Sequence, residues 1–247
     1  MAGHVQSLER AFRLLEVMAA RGGVAGLSDL AADSGLAVPT IHRLLRTMVE
    51  LGYVRQEPSR KYALGPRLAL LGDGASRVLG VWATPHLRAI ADELGESANL
   101  ALLESHEVLY VAQAPGHHAM RMFTEVGHRA AAHCTAVGKA ILAGLPDERV
   151  DAIVRAAGMQ ARTPNTITTP AALKQELARV RARGYATDEE EQELGVRCVG
   201  VALPGDPSRA AVSVSAPVGR MDDALIGVAV PLLQRAAAGL AADLAGA

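Results

Sequence analysis

Cysteine is scarce. The chain of 247 residues has two, Cys134 and Cys198, too few for a disulfide framework, so a reduced, cytoplasmic setting is expected. Long apolar runs are also missing: no stretch approaches the ~18–20 consecutive apolar residues of a membrane helix. The opening Met1-Ala2-Gly3-His4-Val5-Gln6 lacks the basic-then-apolar pattern of a secretory leader. No membrane partner is expected. Histidines are present near a thiol (His106, His117, His118, His128 and His133, with Cys134), but no CxxC, HxH or HExxH spacing accompanies them. Zinc sites use tight, regular spacings, so these read as loop and strand-end histidines, with neither metal nor cofactor expected. Net charge is nearly absent too, at −1, and excludes little by itself.

The distribution of charge says more. Residues 1–70 hold nine Lys/Arg against six Asp/Glu, and the remainder sixteen against twenty. A head of +3 precedes a body of −4, as expected of a DNA-binding unit attached to a sensing one.

Within the head, Val5, Leu8, Phe12, Leu15 and Met18 recur at helical spacing, which predicts an amphipathic helix ended by Gly22-Gly23. A second helix is expected to open at Ser28, acting as N-cap, to carry Leu30 and Ala31 inward and to stop at Gly35. A third starts with Pro39 in its first turn and runs to Gly52. Two short helices joined by Gly35-Leu36-Ala37-Val38 make a helix-turn-helix. At ~100° per residue, Ile41, Leu44, Leu45, Met48 and Leu51 fall on one side. Thr40, His42, Arg43, Arg46, Thr47 and Glu50 fall on the other. Tyr53–Gln56 and Lys61–Gly65 around Glu57-Pro58-Ser59-Arg60 then predict a β-hairpin wing with Arg60 and Lys61 near its tip.

Residues 66–80 suggest a linking helix interrupted by Gly72 and Gly74. Beyond them the pattern predicts a helix capped by Thr84-Pro85 and running to Gly95. Strands are expected at Ala98–Leu103, Val108–Ala114 and Arg121–Thr124, and helices at Thr135–Ala143, Asp147–Ala157 and Pro170–Arg183. An antiparallel pair, Cys198–Leu203 and Ala210–Pro217, should turn at Gly205-Asp206-Pro207, and an Ala/Leu-rich helix should follow from about Asp222. Helices with mostly antiparallel strands imply an α+β body. The expected domains are 1–65, a linker at 66–80, and 81–247. No internal repeat or low-complexity tract is evident.

Taken in order, the chain resembles the isocitrate lyase regulator (IclR) family of bacterial transcription factors. The resemblance is carried by Val5-Gln6-Ser7-Leu8-Glu9-Arg10-Ala11, Leu27-Ser28-Asp29-Leu30-Ala31, Pro39-Thr40-Ile41-His42-Arg43-Leu44-Leu45 and Tyr62-Ala63-Leu64-Gly65. It continues through the block from His133 to Ala143, Arg183-Gly184-Tyr185-Ala186-Thr187-Asp188-Glu189-Glu190, and Gly195-Val196-Arg197-Cys198-Val199-Gly200. It implies a winged helix-turn-helix, a linker helix and a GAF/PAS-like α/β effector-binding domain with an antiparallel sheet. It also implies a homodimer or dimer of dimers on double-stranded operator DNA, controlling a catabolic operon in response to a small organic effector such as a carboxylate or an aromatic acid or amide.

Two sets of residues follow as candidates. For DNA they are Thr40, His42, Arg43 and Arg46 on the third helix, Ser28 on the helix before it, and Arg60 and Lys61 on the wing. Arginine can bind guanine O6 and N7 bidentately, while wing cations serve phosphates. For the effector, the resemblance implies backbone N–H groups of Ala136 and Val137, then Asp188, Cys198, Ser213 and Ser215. Ser213 and Ser215 are two apart on a strand and so share a face. The competing readings are a thiol-dependent hydrolase using Cys134 or Cys198 with a histidine, and a small-molecule-binding module without DNA binding. No nucleophile-elbow or papain-like signature supports the first, and neither reading uses the cationic head.

Overall fold

The computed structural model describes residues 5–119, 125–205 and 210–246. The strand expected at Arg121–Thr124 and the turn residues Asp206 and Pro207 lie outside them. The chain forms two units, Met1–Ser76 and Arg77–Ala247.

In the first unit, α1 (Gln6–Ala20) buries Leu14 and Met18, with Ala11, Leu15 and Val17 packed partly against the same core. Val5, Leu8 and Phe12, from the apolar pattern that predicts this helix, are 58, 59 and 61 % exposed. Two apolar rows run along this helix, and periodicity alone does not say which one meets α2 (Leu27–Ser34). The N-cap of α2 is Gly26, not Ser28. Asp29 reaches back to accept the Gly26 N–H at 3.1 Å, the acidic half of a capping box. That leaves the Ser28 side chain exposed in the first turn.

The turn after α2 is built by two residues. Gly35 takes φ +68° while its N–H reaches Ala31 O at 3.0 Å, a conformation costly for any residue bearing a Cβ. The buried Ser34 hydroxyl donates to Leu30 O at 2.6 Å and accepts the Leu36 N–H at 3.2 Å. That bond aims α3 (Val38–Glu50), whose Ile41, Leu45 and Met48 are buried. Leu51, expected inside, is the C-cap residue and is 49 % exposed. Strands β1 (Val24–Ala25), β2 (Val54–Gln56) and β3 (Tyr62–Leu64) form an antiparallel sheet in the order β1-β3-β2. The hairpin is as expected from the sequence; β1 is an addition to it.

Residues 67–94 form one helix, α4 (Arg67–Leu94), rather than the two expected. Gly72 and Gly74 each weaken a helix by only ~1 kcal/mol. Pro85 sits inside α4, with the Thr84 hydroxyl donating to Gly80 O at 2.7 Å one turn earlier. In the second unit, β4 (Ser97–Glu104), β5 (Glu107–Ala114), β6 (Arg129–Ala131), β7 (Ala186–Glu189), β8 (Val196–Ala202) and β9 (Ala210–Pro217) form a single sheet. Its order is β6-β5-β4-β9-β8-β7, with every pairing antiparallel.

One face of the sheet packs Leu100, Val199, Val201, Val212 and Val214 against α4 residues such as Leu87 and Ile90 and against α8 (Asp223–Gly246). By length and composition α8 could cross a membrane. Its Ala229, Leu233, Ala237 and Leu240 are instead buried in this core. On the other face, Ala101, Val108 and Ala211 pack against α5 (Ala136–Ala143), α6 (Asp147–Ala157) and α7 (Pro170–Arg183). The α5 helix is apolar throughout except for Lys139, which pairs with Glu191 in the interior.

Candidate nucleic-acid interface and ligand cavity

Burial of Ile41, Leu45 and Met48 fixes the rotation of α3, so Arg43, Arg46 and Glu50 face directly away from the core. His42 is exposed beside them and Thr40 is half-buried on the opposite flank. Arg43 is exposed, whereas Arg46 pairs with Glu50 at 3.1 Å with both side chains well exposed. Such an exposed pair holds little energy, so Arg46 can leave Glu50 for a phosphate or base. At the wing tip Glu57 N–H meets Lys61 O at 2.8 Å and Arg60 N–H meets Glu57 O at 2.9 Å. Arg60 takes φ +63° there, and both Arg60 and Lys61 are exposed. The unit thus carries cations on a projecting helix and on a projecting hairpin.

The second unit has a half-open cavity of about 340 Å³ over the sheet beyond the start of α5. Strand register builds its floor: Asp188 on β7 lies opposite Cys198 on β8, which lies opposite Ser215 on β9. Tyr110 of β5, Ala130 of β6, Val196 of β8 and Thr135, the cap of α5, complete the wall, with Gln192, Glu193, Glu125 and His128 at the rim. A polar chain stands behind Ser215. Asn99 donates to its hydroxyl at 3.3 Å, and Gln113 donates to Asn99 Oδ1 at 3.1 Å.

Asp188 is 3 % exposed. Burial pushes its carboxyl up to about 7, against the opposing pull of the Glu191 and Gln192 amides, which Oδ1 accepts at 2.7 and 3.3 Å. Burial also pushes the Cys134 thiol up to about 12 and holds the Cys198 thiol and the Tyr110 phenol above their ordinary ranges. A protonated thiol is a poor nucleophile, and Cys134 donates to Gln192 Oε1 at 3.0 Å. Neither cysteine is prepared for hydrolysis.

Of the effector candidates, Asp188, Cys198 and Ser215 come together in the cavity, and Ser213, Ala136 and Val137 do not line it. Ser213 pairs with Gly200 and Asn99. A Cβ at Gly200 would lie 3.0 Å from the carbonyl carbon of Ala136 and 3.1 Å from the Val137 nitrogen. The start of α5 thus seats on the strands at that point and covers them. Tyr110, Gln192 and Glu193 were not anticipated, because nothing in their local pattern marks them. Thr135 carried a signal, being a cap residue in a block already singled out. The histidines disperse: His117 meets Asp92 at 3.1 Å, His118 lies 3.5 Å from Glu96, and His128 stacks on Tyr110. His133 lies 3.3 Å from Gln160 O, with burial lowering its pKa. Among the described residues no group of three or more His, Cys, Asp or Glu could hold a metal ion.

Comparison with known families accounts for both units. Residues 7–58 match the IclR helix-turn-helix domain, and residues 77–242 match the C-terminal domain of the bacterial transcriptional regulator IclR. The chain belongs to the IclR family. As an IclR-family member it is a DNA-binding transcriptional regulator, and the cationic face of α3 and the cavity lie in the two domains that define the family. The chain is 38 % identical to the transcriptional repressor IclR of Escherichia coli K12, over 90 % of this chain and 83 % of the relative. To the acetate operon repressor of Salmonella typhimurium LT2 it is 36 % identical, over 90 % and 84 %. The crystal structure of an IclR homolog from Microbacterium hydrocarbonoxydans complexed with 4-hydroxybenzoate superposes with a TM-score of 0.63, at 26 % identity, covering 98 % of this chain and all of that one (100 %).

Proposed function

We propose that this IclR-family regulator acts in the cytoplasm as a homo-oligomer on the operator of a catabolic operon, and that a small organic effector in the cavity of residues 77–247 switches it. The observation that carries the reading is the pairing, in one chain, of an outward cationic face on α3 with a half-open cavity lined by polar and apolar groups together. In the DNA-bound state α3 enters the major groove, where Arg43 reads a base and Arg46 a base or phosphate. Arg60 and Lys61 on the wing, and Ser28 at the start of α2, meet the backbone. Symmetric half-sites require two heads; exposed Val5, the cap of α1, and Leu8 and Phe12 on it are the apolar surface that self-association would cover. Effector control follows if the ligand binds one arrangement of the oligomer better than the other. The acetate operon and 4-hydroxybenzoate of two relatives support a small catabolic compound as the signal.

The test is Arg43→Ala, with binding to DNA from upstream of the protein's own gene measured by fluorescence anisotropy. Loss of a bidentate base contact weakens specific binding about ten- to a hundredfold. Arg43 is exposed, so the melting temperature should not move. Unchanged affinity at matched salt would remove Arg43 from the interface.

A further inference from the structure

The recognition helix α3 and the linking helix α4 meet at a tight junction. After the C-cap Leu51, Gly52 takes φ +78° with its N–H on Val49 O at 3.0 Å. Gly65 then crosses that turn. Its N–H donates to Tyr53 O at 2.8 Å, and a Cβ there would collide with the backbone of Gly52 and Tyr53. Pro66 alone separates this crossing from Arg67, the first residue of α4. The end of α3 and the start of α4 therefore lie against each other, backbone on backbone.

Arg67 fastens the junction at three points. Its stem lies across Gly52, where a Cβ would sit 3.0 Å from Arg67 Cδ. Its Nη1 donates to Leu51 O at 2.9 Å, at a helix end whose last carbonyls lack partners of their own and which favours a cation. Its guanidinium carbon lies 5.4 Å from the centre of the Tyr53 ring, in cation–π contact. The residues after it add little: Leu68 is half-buried, and Ala69, Leu70 and Leu71 are exposed. Because Ile41, Leu45 and Met48 already hold α3 in the core of the head, what Arg67 fixes is the direction in which α4 leaves it. α4 continues to Leu94 and places Leu87 and Ile90 in the core of the second unit. Its direction at Arg67 therefore bears on how two heads of one oligomer are presented to DNA.

We propose that Arg67 is a positioning residue for operator recognition: by clamping the start of α4 to the end of α3 it sets the half-site spacing that the protein accepts, without itself touching DNA. This rests on the reading that two heads of an oligomer share one operator.

The test is fluorescence anisotropy of the full chain on the operator footprinted upstream of the protein's own gene, on one half of it, and on operators with two base pairs added or removed at the centre. Two base pairs turn one half-site against the other by about 70°. Arg67→Met keeps the stem and loses the donor and the cation. It should weaken binding to the whole operator about tenfold, because heads that are no longer pre-oriented bind two half-sites less cooperatively. It should also reduce the penalty for altered spacing at least about threefold. Half-site affinity and the slope of affinity against salt should match the wild type. Arg67→Lys, which can still donate to Leu51 O, should restore most of the loss. Arg67 is exposed, so all three proteins should melt together. A salt slope smaller by about one, with half-site affinity falling as far as operator affinity, would make Arg67 a phosphate contact and overturn the proposal. Spacing selectivity retained in Arg67→Met would also overturn it, whether or not that variant melts earlier. A wild type that binds one half-site as tightly as the whole operator would overturn the two-head reading and the proposal with it.

Discussion

Lys139→Met tests how the second unit is held together around its cavity. The Lys139 side chain is 1 % exposed and its partner Glu191 6 %. Among the described residues Glu191 Oε2 has no hydrogen-bond partner, and burial keeps the Glu191 carboxyl above its ordinary pKa despite the neighbouring ammonium. The loop is committed to this position, because Thr163 and Thr166 hydroxyls donate to the Glu190 and Glu191 carbonyls at 2.7 and 2.6 Å. Removing the lysine therefore leaves a buried carboxylate uncompensated, which costs about 3–5 kcal/mol. For a unit of this size each kcal/mol moves the melting temperature by about 2–4 °C, so a fall of roughly 6–20 °C is expected. The loss must depend on pH. A carboxyl whose folded pKa lies above its unfolded value of about 4.3 destabilises progressively as pH rises through the folded value. The deficit of Lys139→Met is therefore small near pH 4–5 and complete at pH 8. The double variant Lys139→Met/Glu191→Leu, which removes both charges, should recover most of the stability. Thermal melts of the three proteins across that range decide the matter. A deficit equal at both ends, or a double variant no better than the single one, would refute the reasoning.

Two further outcomes follow from the cavity and its surroundings. Asp188 is raised to about 7 mainly by burial, with the Glu191 charge adding to the rise and Lys139 opposing it. The wild type therefore loses stability as pH climbs from about 4 to 7, whereas Asp188→Asn, whose amide oxygen can still accept from Glu191 and Gln192, should lose less; a stability difference constant from pH 5 to 8.5 would contradict the raised value. Gly200→Ala places a Cβ 3.0 Å from the Ala136 carbonyl carbon, backbone that cannot rotate away. It should cost about 1–3 kcal/mol by urea denaturation, and an unchanged midpoint would show that α5 can shift to admit it.

The helix-turn-helix was legible because its signals are local. Gly35 supplies a left-handed residue, Pro39 a first helical turn, and the 3.6-residue period separates Ile41, Leu45 and Met48 from Arg43 and Arg46. The wing was legible for the same reason. Misreadings arose where two local solutions were nearly equal. Ser28 and Gly26 could each cap α2, and the reach of Asp29 chose Gly26. Gly72, Gly74 and Pro85 looked like breaks in α4, but the two glycines each cost a helix only ~1 kcal/mol, and packing of Leu79, Ala83, Leu87 and Ile90 in the core flanks Pro85 on both sides. Val5, Leu8 and Phe12 belong to the apolar pattern that marks α1 yet lie exposed, because spacing reports an apolar face and not what covers it. The short strands β1, β6 and β7 carry too few residues to show alternation.

The cavity divides the two kinds of information most clearly. Composition and motif order determined by themselves that this chain has a cationic helix-turn-helix head, an acidic α+β body, and the family that joins them. Backbone preference and periodicity act over a few residues and are written into each segment. Only the tertiary structure decided that Asp188, Cys198 and Ser215 stand in one row across three strands, with Tyr110 facing them, while Ser213 lies covered one step away beneath α5. That choice depends on strand register and on how closely α5 approaches Gly200. Both are settled by packing between residues far apart in the chain, so no local pattern records them.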